Sequence, residues 1–287
     1  MVLRGVLIAG PTASGKSRLA LERAHALGGI IVNTDALQVY DGLRLLTARP
    51  AEADLAAAPH RLYGTVPAAR RFSTGDWARA AAKVIAESEG APLIFAGGTG
   101  LYFETLTSGF ADVPEVGAEA SAAAEAAVEG LDREARGKLI AARDPLMAAR
   151  LKAPDPQRVI RALAVLNETG RSLASFQDAV QRPLLEGYTL ERLVLNPDRE
   201  VLRERIAERF VKMLDEGAIG EVEALLAQTL YPSLPLMKAI GVSEISEFLA
   251  GRSTREEMVE RAVIATRQYA KRQRTWFRGR MADWDSV

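Results

Sequence analysis

The sequence predicts an α/β fold: a parallel sheet flanked by helices, carrying an all-helical insertion domain. Three observations point there. Short apolar runs alternate with helical stretches near both ends of the chain, the pattern of a sheet covered on both faces. The first apolar run feeds directly into a glycine-rich loop. Between residues 111 and 184 no convincing strand occurs, and Ala-rich helical runs follow one another instead.

The first strand is Val6-Leu7-Ile8-Ala9. It runs into Gly10-Pro11-Thr12-Ala13-Ser14-Gly15-Lys16-Ser17, and Leu19-Ala20-Leu21 follows at helical spacing. Strand, loop of G-x-x-x-x-G-K-S spacing and helix together make a phosphate-binding loop, so the sheet is expected to be P-loop NTPase-like. The glycines let several backbone N–H groups converge on one anion, and the positive end of the following helix faces the same point. Lys16 adds a point charge for the terminal oxygens, and Ser17 offers a hydroxyl to a bound Mg²⁺. The loop calls for a diphosphate or triphosphate without saying what is done with it.

Ile30-Ile31-Val32-Asn33-Thr34 reads as the second strand, ending at Asp35-Ala36-Leu37-Gln38-Val39-Tyr40. Residues 76–89 read as a helix capped by Ser73 or Thr74. Pro92-Leu93-Ile94-Phe95-Ala96 reads as the third strand, running into Gly97-Gly98-Thr99-Gly100. Within the insertion, helices are expected over 118–130, 132–142 and 145–151, and Asp155-Pro156 opens another. Leu193-Val194-Leu195 is a later strand closed by Asn196-Pro197-Asp198. Asp198 caps a long helix with Leu202, Ile206, Phe210, Met213 and Leu214 on one face. The domain boundaries follow: residues 1–110 and 185–287 form the α/β catalytic core, and 111–184 the helical insertion.

Composition narrows the class. The formal net charge is zero, so any nucleic-acid surface must be a local patch. There are no cysteines, which excludes disulfides and thiolate metal sites. No apolar run approaches the ~20 residues needed to cross a bilayer. The N-terminal apolar stretch is too short for a signal peptide, and a cytoplasmic protein is expected. Nothing demands more than a monomer.

Ligands of open α/β sheets sit beyond the carboxyl ends of the strands, where the loop, Asp35 and Gly97–Gly100 would converge. A carboxylate at Asp35 can ligate Mg²⁺ or take a proton from a nucleophile; it can equally cap the next turn. The small residues after the third strand suit either a close ligand, with Thr99 offering a hydroxyl, or a tight turn. They also lack the strand-end Asp of many P-loop phosphotransferases. Gln157, Arg158 and Arg161 fall within one helical turn and suit phosphate or base-edge contacts, although composition alone favours a solvated face. Residues 266–280 carry six positive charges and no acid, interleaved with Tyr269, Trp276 and Phe277. That mixture suits single-stranded or loop RNA; it also suits a basic helix docking its rings on the core. A small-molecule or nucleotide kinase and a non-catalytic RNA-binding P-loop protein are the rival classes.

The motifs, in this order, resemble those of the bacterial tRNA dimethylallyltransferases, also called tRNA isopentenyltransferases. The resemblance runs nearly end to end through the Gly10–Ser17 loop, Asp35–Tyr40, Thr47-Ala48-Arg49-Pro50, Pro59-His60-Arg61-Leu62-Tyr63-Gly64 and Gly97–Tyr102. It continues through Gln157-Arg158-Val159-Ile160-Arg161-Ala162-Leu163, Lys238-Ala239-Ile240-Gly241 and Thr266–Gln273. Ala36 stands where the family usually has serine, and Arg49 where it usually has lysine. The insertion is somewhat short, and the lack of a Cys/His finger after the basic segment fits a bacterial member.

The resemblance implies transfer of a dimethylallyl group from dimethylallyl diphosphate to N6 of the adenosine at tRNA position 37, 3′ of the anticodon, with release of diphosphate. It implies Mg²⁺ on Ser17 and the diphosphate in Gly10–Ser17. Catalytic roles fall to Asp35 as base, Lys16, Thr99 hydrogen-bonding Asp35 or the adenine, and Arg209 on the diphosphate. The adenine would flip into a tunnel between core and insertion. The tRNA anticodon loop would be held by Asp35, Ala36, Leu37, Gln38 and Thr99, by Gln157, Arg158, Val159, Ile160 and Arg161 of the insertion, and by Arg267, Lys271 and Arg272 on its phosphates.

Overall fold

The computed structural model describes residues 3–111, 113–179 and 182–287. Six strands form one parallel sheet: β1 Arg4–Ala9, β2 Ile30–Asn33, β3 His60–Arg61, β4 Leu93–Gly97, β5 Thr189–Val194 and β6 Asp285–Ser286, in the order β3-β2-β4-β1-β5-β6. Parallel neighbours need crossovers, and helices supply them on both faces. This is why the central strands are apolar throughout. Leu7, Ala9, Val32 and Phe95 pack to one side with Trp77, Tyr102 and Phe210. Val6, Ile8, Ile31 and Ile94 pack to the other against Ala20 and Ala24 of the helix Lys16–Leu27. The two-residue period of each strand thus sorts one apolar run into two cores.

Helix signals are obeyed closely. Ser73 caps the helix Thr74–Glu87: its hydroxyl accepts from Asp76 N–H at 3.1 Å, and Asp76 Oδ2 accepts the Ser73 N–H at 2.8 Å. Trp77 of that helix stacks on Tyr102 at 4.2 Å and donates its indole N–H to the Asn33 carbonyl at 2.9 Å. Asp198 caps Arg199–Asp215, and Leu202, Ile206, Phe210, Met213 and Leu214 are its buried face. The strand expected at 193–195 instead spans Thr189–Val194, because its first half is polar and half exposed and hides the run. β3 and β6 were not expected; at two residues each they are too short to show a period.

The chain divides into two compact units, one running to Thr107 and resuming at Leu184, the other Ser108–Pro183. The expected divisions lay at 110/111 and 184/185. The smaller unit holds its own core, including Val128, Ile140, Met147, Val159, Leu163 and Phe176, within five helices: Ala118–Val128, Arg133–Arg143, Pro145–Arg150, Pro156–Thr169 and Leu173–Gln177. Asp132, Asp144, Asp155 and Ser172 cap four of them. No helix among the described residues is long and apolar enough to cross a membrane.

Candidate functional site

Beyond the carboxyl end of β1 the backbone turns through left-handed conformations at Ala13 (φ 61°) and Gly15 (φ 96°). Glycine at 15 makes the second turn cheap. The helix that follows starts at Lys16 with no acidic residue in its first turn and no side-chain cap. Its leading N–H groups are therefore left for an external anion. Ser14 Oγ is buried there without a hydrogen-bond partner among the described residues. An unmet polar atom of this kind is costly and is suited to a ligand.

Two cations converge on the loop. Lys16 Nζ donates to the Pro11 carbonyl at 2.7 Å. Burial pulls its pKa down to about 8, opposed by the charge of Asp35 and assisted by that of Arg209. Arg209 comes from the helix Arg199–Asp215 and donates to Thr12 Oγ1. Burial lowers its pKa as well, and Asp35 opposes the shift. Arg205, one turn earlier, also lines the cavity. It escaped the sequence reading, although spacing of four from Arg209 was a signal for it.

Asp35 is the expected turn cap and also lines the cavity. Its Oδ1 caps the next turn by accepting the Leu37 N–H at 3.0 Å. Its side chain nonetheless lines the cavity, where it is the only carboxylate among the described residues. Asn33 sets the approach: its Oδ1 accepts the Asp35 N–H at 2.7 Å, and its Nδ2 donates to the Asp35 and Leu62 carbonyls at 2.9 and 3.0 Å. Asn33 is fully buried, and nothing in the sequence marks it out from a strand-end residue. Gln38 lines the same cavity, with Nε2 committed to the Thr47 and Ala48 carbonyls.

Thr99 needs correcting. Its Oγ1 accepts the Ala36 N–H at 3.0 Å, and it makes no hydrogen bond to the Asp35 carboxylate and does not line the cavity. Glycines on either side let the turn after β4 fold back on Thr34, whose carbonyl accepts the Thr99 N–H at 3.0 Å. The hydroxyl is thereby used to hold the 35–37 turn.

The C-terminal helix Arg255–Arg280 presents Thr266, Tyr269 and Arg272 to the cavity, with the Arg272 guanidinium 5.7 Å above the Tyr269 ring. Its other rings dock on the core: Phe277 is buried, and Trp276 packs on Gly100. Several of its cations have intramolecular work: Arg255 pairs with Asp215 at 3.3 Å, Arg274 donates to the Pro197 carbonyl at 3.2 Å, and Arg280 pairs with Glu104 at 3.4 Å. Arg267 and Lys271 are exposed and lie off the cavity lining. In the smaller unit Gln157, Arg158 and Arg161 are exposed and Ile160 is partly so. Val159 is a correction. Its side chain is buried in that unit's core, because it falls on the inward face of its helix, and it has no surface to offer RNA.

The cavity encloses about 670 Å³. The loop residues 12–17, Arg205 and Arg209 line it, and Leu46, Ala48, Phe210, Met213 and Ile240 make up its apolar wall. Burial and the charge of Asp35 push the phenols of Tyr63 and Tyr269 upward, so both stay neutral. Ser17 is exposed at the loop, lines the cavity, and its hydroxyl has no hydrogen-bond partner among the described residues. No cluster of three His, Cys, Asp or Glu residues suited to a metal occurs among the described residues.

The family model described as IPP transferase matches residues 38–280. The tRNA dimethylallyltransferase of Allorhizobium ampelinum is 47% identical over 98% of this chain and 94% of its own length. That of Rhizobium etli is 47% identical over 100% and 97%. Among solved structures, the full-length tRNA isopentenylpyrophosphate transferase from Bacillus halodurans superposes with a TM-score of 0.68 at 30% identity, covering 99% of this chain and 89% of that one. A eukaryotic dimethylallyltransferase acting on tRNA, 24% identical with a TM-score of 0.78 over 96% and 70%, shares the fold. On this likeness, spanning nearly its whole length, the chain belongs to the IPP transferase family.

Proposed function

We propose that the chain transfers a dimethylallyl group from dimethylallyl diphosphate to N6 of an adenosine in tRNA, the one at position 37 beside the anticodon, and releases diphosphate. One observation carries this reading. A single cavity joins an uncapped anion loop, two half-buried cations, an apolar wall and a lone carboxylate. On this reading the chain acts as a monomer in the cytoplasm, where its tRNA substrate would be met.

The amides from Gly15 to Ser17, Lys16 and Arg209 hold the diphosphate and take up the negative charge that grows as it departs. The apolar wall receives the five-carbon group and excludes water from it. The residues fit Mg²⁺: Ser17 offers a hydroxyl without a hydrogen-bond partner among the described residues, and this ion commonly takes most of its ligands from phosphates and water. Bound there, Mg²⁺ supplies further positive charge to the leaving oxygens. The adenine N6 lone pair is delocalised into the ring, so the amine needs help. Asp35 has one oxygen engaged by Leu37 and the other without a hydrogen-bond partner among the described residues. As the N6–carbon bond forms, the carbon–oxygen bond to diphosphate breaks, the electron pair leaves with diphosphate, and the N6 proton passes to Asp35.

A kinase is less well supported. β4 ends in Gly97 and Gly98, with no carboxylate there to hold a nucleotide's metal. Incubation with unmodified tRNA and dimethylallyl diphosphate, followed by mass spectrometry of the nucleosides, should give N6-(dimethylallyl)adenosine. Consumption of ATP without a modified nucleoside would sink the reading.

Arg272 and its exposed neighbours Arg267 and Lys271 are the proposed contacts to tRNA phosphates. Arg272→Ala should weaken tRNA binding and reduce the slope of log Kd against log salt by about one. Unchanged affinity and slope in filter binding would make this helix structural only.

A further inference from the structure

One buried side chain beside the cavity has no part in the chemistry above. Gln273 lies on the C-terminal helix and is 6% exposed. Its Oε1 accepts the Thr12 N–H at 2.9 Å, and its Nε2 donates to the Gly98 carbonyl at 3.0 Å. The amide fits in one orientation only, since reversing it would set donor against donor and acceptor against acceptor. A Cβ on Gly98 would lie 2.1 Å from Nε2, so glycine there is what makes room for the clip.

Thr12 is the pivot. The peptide joining Pro11 to Thr12 is one planar unit with its N–H and C=O on opposite edges. The N–H edge is held by Gln273, and the C=O edge anchors Lys16 Nζ at 2.7 Å. The Thr12 hydroxyl receives Arg209. Whatever fixes that plane therefore fixes where both cations of the anion site are tethered. Gly98, at the other end of the clip, neighbours Asp35: the same hypothetical Cβ would be 3.5 Å from Asp35 Oδ2.

We propose that Gln273 is a positioning residue for the diphosphate site: by pinning the Pro11–Thr12 peptide to Gly98 it sets the anion loop in its binding geometry. This rests on the prenyl-transfer reading for the identity of the anion. Gln273 touches no substrate and acts through Thr12.

Inorganic diphosphate binding, read by calorimetry on the full chain, tests it. Gln273→Met should raise Kd for diphosphate about tenfold, the worth of one to two net hydrogen bonds. The KM for dimethylallyl diphosphate should rise by a similar factor while the KM for tRNA is unchanged. Gly98→Ala, which drives the amide out of place with its chemistry intact, should reproduce the loss. In the Q273A background G98A should cost nothing more, because the obstructing atoms are gone. A melting-temperature change with diphosphate affinity preserved would show a structural role and overturn the proposal, as would additive effects of G98A and Q273A. If Gln273→Met does not fold, Gly98→Ala carries the same comparison. A wild-type chain that binds no diphosphate would instead remove the prenyl-transfer reading, and this inference with it.

Discussion

Asp35→Ala should lower kcat by about 10²–10⁴, the usual worth of a general base, while tRNA affinity stays near that of the wild type. Elimination within the cavity supports the size of this effect. Lys16, Arg205, Arg209, Lys238 and Arg272 are cationic side chains, and the two phenols are pushed upward by burial. At pH 7 Lys16, with its pKa of about 8, is already mostly protonated, and Asp35 is the one described carboxylate there. Its second duty, capping Leu37, requires a control. Asp35→Asn keeps an oxygen for the cap but cannot accept the proton. If Asp35 is the base, the two variants are equally slow. Recovery of activity in the Asn variant would reduce Asp35 to a turn-former, and full activity in either would end its assignment as base.

Lys16→Met should raise the Kd for diphosphate about 10- to 100-fold, from the loss of a charged hydrogen bond worth roughly 1.5–3 kcal/mol. It should do so without harming the fold. Burial lowers the Lys16 pKa from 10.5 to about 8, so between those values the unfolded chain holds more protons at this residue than the folded one. Stability of the ligand-free protein therefore gains from Lys16 as pH rises through that window, and at pH 7 the buried charge opposes folding. Removing it should leave the melting temperature unchanged or higher. Diphosphate binding runs the other way, since it needs the protonated amine and should weaken above about pH 8. Calorimetric titration at several pH values reads both effects. Unchanged KM and kcat in Lys16→Met would take the loop out of the mechanism.

Much of this arrangement could be read along the chain because it rests on local rules. The loop spacing, the Ser73 and Asp198 caps and the apolar runs of β1, β2 and β4 each announce themselves within about ten residues. What stayed hidden depends on partners far away in sequence. Asn33 and Gln273 are ordinary amides until the fold brings Leu62 or Thr12 to them. Thr99 looked like a group aimed at ligand because its acceptor role toward Ala36 spans 63 positions. Val159 was swept into a surface cluster by its neighbours, although helical period alone turns it inward. Trp276 and Phe277 read equally well as stacking platforms or as core, and packing decided for core.

The bond from Thr12 to Gln273 spans 261 positions. On a ribosome adding about 5–20 residues each second, the two ends of that bond are made tens of seconds apart. The phosphate-binding loop therefore emerges early yet stays unfinished until the C-terminal helix has been made. A nascent chain stalled before Gln273 should accordingly be a poor binder of pyrophosphate.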